Sequence, residues 1–134
     1  VSPAALATAK YLEKTFGTPY EIYYPLVKDL IPEMDYTGKR ILVVHQQVIA
    51  DSIRKELLKR GAGTVQTACW FMKKELQTDR DVILRDEDAY IELVQNGEFD
   101  IIFADGCMER MTPGFEGTFV NTRHFAVSGK LIEK

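Results

Sequence analysis

Residues 38–61 read GKRILVVHQQVIADSIRKELLKRG, and their pattern decides the fold class. Residues 41–44 are a run of apolar side chains, which is typical of a strand buried on both faces of a sheet. The following residues repeat apolar side chains at helical spacing, with charged side chains between them, as an amphipathic helix does. A buried strand that turns directly into such a helix is the first half of a βαβ unit in a parallel sheet.

Four later segments extend this unit into an α/β domain. The further predicted strands are residues 64–71, 82–84, 99–104 and 118–122. A helix is predicted to begin at Asp86, where a cluster of acidic residues suits the helix dipole, and to stop at Asn96-Gly97. We therefore predict a three-layer, Rossmann-like α/β fold with an open, mostly parallel sheet of about 4–5 strands and helices on both faces.

The first 24 residues have a pattern of their own. Ser2-Pro3 predicts a helix start, the helical period continues to Phe16, and Gly17 is the predicted stop. Residues 20–24 then alternate in a short β-like pattern. This opening helix and strand could be an extension packed against the main domain.

Composition describes an ordinary globular domain. The chain has 134 residues, of which 46% are hydrophobic and 28% charged, and 17 basic against 20 acidic side chains leave a net charge of −3. This balance points to neither nucleic acid nor membrane as a partner. No apolar run reaches the roughly 18 residues of a membrane span, and the first residues lack the basic-then-apolar pattern of a signal peptide, so we expect a cytoplasmic protein. Its two cysteines are expected as free thiols.

Several familiar motifs are missing from the sequence. No G-x-G-x-x-G follows the first strand, and no G-x-x-x-x-G-K-[ST] occurs, so dinucleotide and ATP binding are not expected. Neither H-E-x-x-H nor C-x-x-C is present, which argues against a self-contained zinc or iron–sulfur site. No serine lies in a nucleophile elbow.

Two polar turns follow the most apolar strands. They are His45-Gln46-Gln47 and Asp105-Gly106-Cys107. Both are expected at the carboxyl edge of the sheet, and they border one crevice if the strand order reverses between their strands. Arg123 and His124 come where the last predicted strand ends.

Each candidate side chain also has a structural interpretation. Gln46 and Gln47 could bind a polar or anionic ligand, or simply satisfy backbone groups at a helix start. His45 could be a proton donor or ligand, or a packed side chain. Cys107 could be a thiolate favoured by the helix dipole, or a small buried apolar residue. Cys69 is expected to be structural.

The order of segments along the chain resembles a known family. SPAALATAKYLEKTFGTPY at residues 2–20, GKRILVV at 38–44, FDIIFADG at 99–106 and FVNTRHFAVSG at 119–129 carry the resemblance. Together they resemble nitrogenase component 1, the family of the molybdenum-iron protein subunits, their scaffold relatives and the catalytic part of dark-operative protochlorophyllide reductase. Such subunits contain several Rossmann-like domains.

The resemblance implies that this chain is one such domain. Residues 1–24 would be the last helix and strand of a preceding domain, and residues 25–134 the Rossmann-like domain. The full-length protein would be an oxidoreductase with an iron–sulfur or related metallocluster, paired with a homologous subunit and reduced by a separate ATP-dependent P-loop iron–sulfur protein. The isolated domain is expected to hold no cluster and to be inactive.

The resemblance also implies roles for particular residues. The cofactor-cavity residues would be His45, Gln46, Gln47, Asp105, Gly106 and Arg110, and the metal-binding residues Cys107 and His124. His45-Gln46-Gln47 departs from the glycine- and arginine-containing turn of relatives, and His124 lies about one residue from their cofactor-binding histidine. No residue is assigned a catalytic role. The alternative is a free-standing, flavodoxin-like module that binds a small molecule or a protein without catalysis, or a purely structural interaction domain.

Overall fold

The computed structural model describes residues 1–72, 74–124 and 127. Five strands form one sheet: β1 Arg40–Val44, β2 Thr64–Cys69, β3 Asp81–Ile83, β4 Ile101–Ala104 and β5 Thr118–Asn121. Their order is β3-β2-β1-β4-β5, and every neighbouring pair is parallel. The predicted Rossmann-like α/β fold is thus confirmed, and the strand order reverses between β1 and β4, as the crevice hypothesis required.

Four α-helices accompany the sheet in the described part of the chain. They are α1 Leu6–Phe16, α2 Gln47–Lys59, α3 Glu87–Asn96 and the single turn α4 Gly106–Glu109. Asp86 caps α3 by accepting a hydrogen bond from the Ala89 N–H at 2.8 Å, so the first residue of the acidic cluster is the N-cap of this helix. Short 3₁₀ turns occupy Pro3–Ala5, Lys28–Leu30 and Lys74–Leu76.

The sheet separates two hydrophobic clusters because successive side chains of β1 point to opposite faces. On one face, Ile53 and Leu57 of α2 belong to the same cluster as Ile41, Val43 and Phe103. On the other, Tyr90 and Val94 of α3 belong to the same cluster as Leu42, Val44 and Ile102. Burial of both faces explains why residues 41–44 are all apolar.

Charged side chains join α2 to the neighbouring strands. Arg54 forms ion pairs with Asp51 on its own helix and with Asp81 at the start of β3. Asp81 also accepts hydrogen bonds of 2.6 Å from the Thr67 hydroxyl and from the Thr78 N–H. Its side chain is fully buried, so the charge depends on these partners.

The prediction of a strand at residues 20–24 is wrong, since this stretch has no regular secondary structure. The Tyr23 N–H bonds to the carbonyl of Val1, and the Lys55 ammonium lies 3.4 Å from the ring centroid of Tyr24. A β-like alternation needs an adjacent strand to pair with, and these residues contact an irregular segment and a lysine instead. Tyr23 is exposed, so it is not a core residue.

Strand ends differ slightly from the predicted ones. β2 ends at Cys69, two residues earlier than expected, which leaves Trp70 and Phe71 beyond the sheet. In the part of the chain that the structure covers, no helix combines the length and the apolar character needed to cross a bilayer.

Candidate functional site

The candidate site lies at the carboxyl edge of the sheet, where the strand order reverses. β1 leads directly into His45 and the start of α2, while β4 leads into Asp105 and the start of α4. In open α/β sheets the helices on either side of such a reversal run to opposite faces, which leaves a crevice between the two turns. The segment after β5 closes the third side with His124.

Two imidazole rings lie together at the centre of this edge. The ring centroids of His45 and His124 are 4.7 Å apart, and the ring planes are inclined by 40°. The N–H of Gln46 donates to His45 Nδ1 at 2.8 Å, so that nitrogen carries no proton. His45 Nε2 then bears the proton and donates it to the carbonyl oxygen of Arg123 at 3.1 Å. His45 is therefore a neutral ring with both nitrogens engaged.

The electrostatic surroundings favour neutral imidazoles. Burial lowers the pKa of His45 and the nearby His124 ring lowers it further, against the opposing effects of the Arg123 carbonyl and the Asp105 carboxylate. Burial likewise lowers the pKa of His124, although its backbone and Asp105 act in the opposite direction. Both shifts go in the same direction because a charged imidazolium loses hydration in a closed site.

The Asp105 carboxylate links the turn after β4 to the segment after β5. One carboxylate oxygen accepts from the Cys107 N–H at 3.0 Å and caps α4, while the other accepts from the His124 N–H at 2.8 Å. The Gly106 N–H donates to the side-chain oxygen of Asn121 at 2.9 Å. These bonds fix the segment after β5 to the turn after β4, and they place the His124 ring over His45.

A cavity of about 640 Å³ opens beside the histidines. Its polar wall contains His45, Gln46, Gln47, Glu87 and His124, and its apolar wall contains Trp70, Phe71, Met108 and Met111. The volume falls within the usual range for small-molecule sites. We call this cavity the carboxyl-edge crevice.

The structure brings together four of the predicted site residues. His45, Gln46, Gln47 and His124 all line the carboxyl-edge crevice. The other predicted site residues do not line its described wall: Asp105 is buried behind it, Gly106 begins α4, and Cys107 and Arg110 are exposed on α4 or just after it. Their predicted ligand roles stay predictions, as does the pairing of Cys107 with His124 as metal ligands.

Sequence reasoning missed the aromatic and acidic parts of the wall. Trp70 and Phe71 were predicted as the end of a strand, yet they lie beyond β2, Phe71 is 93% exposed, and both line the crevice. Glu87 lies at the first turn of α3, just after β3. Their positions in the chain could have indicated this, because residues directly after parallel strands lie at the same edge of the sheet as the two polar turns.

The cysteines, the usual ligands of an iron–sulfur cluster, have different surroundings. Burial raises the pKa of the Cys69 thiol to about 12, and Cys107 is exposed on α4 outside the described crevice wall. Within residues 1–72, 74–124 and 127, no group of three or more histidine, cysteine or acidic side chains could hold a metal ion. The expectation that the isolated domain holds no cluster stays a prediction.

No protein-family model, no curated protein and no solved structure matches this chain. The fold class accordingly rests on the sheet itself, and any functional proposal rests on the residues at the carboxyl edge and on the resemblance of the sequence.

Proposed function

We propose that this chain is a Rossmann-like domain of a nitrogenase-like, component 1-type oxidoreductase subunit. In this proposal the carboxyl-edge crevice forms one wall of the cavity that holds the metallocluster or the substrate. The parent protein, paired with a homologous subunit, would receive electrons from a separate ATP-dependent iron–sulfur protein. The observation that carries the proposal is that the segments after β1, β4 and β5 converge on one cavity, through His45, Met108 and His124, at the point where strand order reverses.

The residues of the crevice would bind and orient rather than transfer protons. Gln46 begins α2 without a side-chain cap, so its amide is available to a ligand in the crevice. His45 has both ring nitrogens engaged by backbone groups, and releasing its proton would break the bond to Arg123. We therefore assign His45 the role of holding the segment after β5 in place.

A second candidate function is a small-molecule binding module without catalysis. The observation that favours it is the chemistry of the cysteines, since Cys69 lines the crevice with its thiol pKa raised to about 12 by burial, and Cys107 lies outside the described wall. Iron and acid-labile sulfide analysis of the natively purified parent protein separates the two candidates. Stoichiometric iron and sulfide favour the reductase, and their absence favours the module.

The reductase proposal is tested by changing Gln46 in the full-length parent protein. We expect Gln46→Ala to lower turnover with the iron–sulfur partner about tenfold, the equivalent of one lost hydrogen bond, because its amide faces the cavity. Gln46 is exposed, so the thermal midpoint should not change. Steady-state turnover and thermal unfolding measure the two effects.

Gln95→Ala is the matched control. Gln95 is equally exposed, but it lies near the C-terminal end of α3 and outside the carboxyl-edge crevice. Its turnover should equal that of the parent protein. Equal turnover in the Gln46 and Gln95 variants would contradict the assignment of the crevice to the reaction cavity.

A further inference from the structure

We infer that the carboxyl-edge crevice takes a planar aromatic ligand that carries no negative charge. The inference rests on the proposed role of the crevice as a binding cavity and adds the chemical class of the ligand. Shape, wall chemistry and charge each contribute to it.

The apolar wall is suited to a flat ring. The indole of Trp70 meets the ring of His124 edge to face, with centroids 6.5 Å apart and an interplanar angle of 79°. Phe71 is 93% exposed beside the same cavity, so its ring is available for stacking. Met108 and Met111 add thioether sulfurs, which make favourable contacts with the edges of aromatic rings. An aromatic ligand would cover the ring of Phe71 and contact both sulfurs.

The charges on the wall disfavour an anion. Glu87 is the charged side chain among the described wall residues, and none of these is a lysine or an arginine. Asp86 and Asp105 cap α3 and α4, so each carboxylate already accepts from an N–H group at the start of its helix. An anionic ligand would enter an apolar crevice beside Glu87 without a cationic partner.

The start of α2 adds a polar donor to the described wall. Gln46, its N-cap residue, lines the crevice and makes no side-chain capping bond, so its side-chain amide can donate to a ligand atom. A ring nitrogen or a carbonyl oxygen of an uncharged ligand accepts from this amide without placing a full charge beside Glu87. The described polar wall thus suits hydrogen-bond acceptors better than anions.

The test uses three probes built on one two-ring scaffold. They are 2-naphthol, which is neutral, 1-naphthylmethylamine, which is cationic, and 2-naphthalenesulfonate, which is anionic. Isothermal titration calorimetry on the 134-residue chain at pH 7 gives their affinities. The indole N–H resonance of Trp70, the chain's one tryptophan, reports whether a probe enters the crevice. We expect the neutral and cationic probes to bind about tenfold more tightly than the sulfonate and to shift that resonance.

Glu87→Gln and Glu92→Gln form a matched pair of variants. Both remove one negative charge from an exposed position of α3, but only Glu87 lines the crevice. We expect Glu87→Gln to reduce the preference over the sulfonate about threefold, as is typical of one exposed charge. Glu92→Gln should leave the preference unchanged.

Each outcome decides a different statement. Sulfonate binding as tight as naphthol binding, with the Trp70 resonance shifted, overturns the ligand class and leaves the crevice as a binding cavity. Naphthol binding without that shift places the ligand elsewhere and overturns the inference. Failure of all three probes overturns the inference together with the cavity on which it rests. The expected charge preference and its reduction by Glu87→Gln, found together with undiminished turnover of the Gln46 variant, would overturn the reductase proposal alone.

Discussion

His45 and His124 are the only histidines of the chain, so the part of the response of stability to mild acid that comes from imidazoles can be assigned to one site. Burial holds the pKa of each ring below its usual value. Between those lowered values and about pH 6.5, the unfolded chain therefore binds more protons than the folded chain. The contribution of the pair is fully present above about pH 6.5 and is lost as pH falls towards the folded-state pKa values.

We predict that the free energy of unfolding decreases as pH is lowered from 7.5 to 5.5. Protonation of His45 Nδ1 also removes the acceptor of the Gln46 N–H, which loosens the start of α2. Urea denaturation at several pH values measures the effect. The double variant His45→Gln with His124→Gln should show a flatter dependence over the same range.

Buried acidic side chains do not affect the comparison between the protein and the double histidine variant. Burial raises the pKa of Asp51, against the effect of Arg54, so its titration also contributes below neutral pH. Asp51 is present in both proteins, however, and the difference between their curves isolates the imidazoles. An equally steep dependence in the variant would contradict the assignment to the histidines.

The sequence predicted which single residues line the crevice where their position follows directly from the order of the elements in the chain. His45 and Gln46 were predictable as crevice residues because they come directly after a buried parallel strand. Cys107 was not, because its exposure depends on how the short helix α4 turns away after Gly106, and Asn121 fixes that turn through a contact fifteen residues distant. Long-range hydrogen bonds of this kind leave no local pattern.

The connection between α2 and the β2–β3 pair depends on one buried carboxylate. Asp81 would be raised in pKa by its burial, but hydrogen bonds from Thr67 and Thr78 and the charge of Arg54 hold its pKa below the usual value. We predict that Asp81→Asn lowers the free energy of unfolding by about 3 kcal/mol, since it breaks an ion pair shielded from solvent. Chemical denaturation monitored by circular dichroism measures the loss.

Asp79→Asn provides the matched control for this element. Asp79 lies two residues away in the same loop but is exposed. Its substitution should change the free energy of unfolding by less than about 0.5 kcal/mol. Equal effects at the two positions would mean that net charge, and not the link from α2 to β3, controls stability.

Strands that bury a face in the sheet were predictable, and the one predicted strand without a neighbour was wrong. β1 and α2 follow from residues 38–61 because both bury a continuous apolar surface against the sheet. Residues 20–24 have a similar local alternation, but no strand lies beside them to complete a ladder. The apolar character of a short segment thus predicts a strand only where the fold also supplies its neighbour.

Assembly of the sheet decides the site as a whole. The order β3-β2-β1-β4-β5 brings His124 close to His45. From the sequence, a shared crevice could be predicted only on the condition that the strand order reverses, because strand order depends on crossovers that local patterns do not specify. Once the order reverses between β1 and β4, the crevice follows from general rules for open α/β sheets.

The N-terminal helix α1 is mostly exposed to solvent. Of its 11 residues only Ala9 is buried, while Tyr11 is 61% and Phe16 is 70% exposed. Both hydrophobic clusters draw their residues from Val27 onwards. The interpretation of residues 1–24 as a separate packing extension stays a prediction, and it has a direct consequence for stability.

We predict that deleting residues 1–22 leaves cooperative unfolding and shifts its free energy by less than about 1 kcal/mol, because no side chain of the two hydrophobic clusters is lost. Deleting residues 1–31 is the control. It also removes Val27 and Ile31, both buried in the cluster beneath α2, and should cost at least about 3 kcal/mol. Thermal and urea unfolding measure both truncations. A shorter truncation that destabilises the protein as much as the longer one would show that α1 belongs to the folding unit of the sheet.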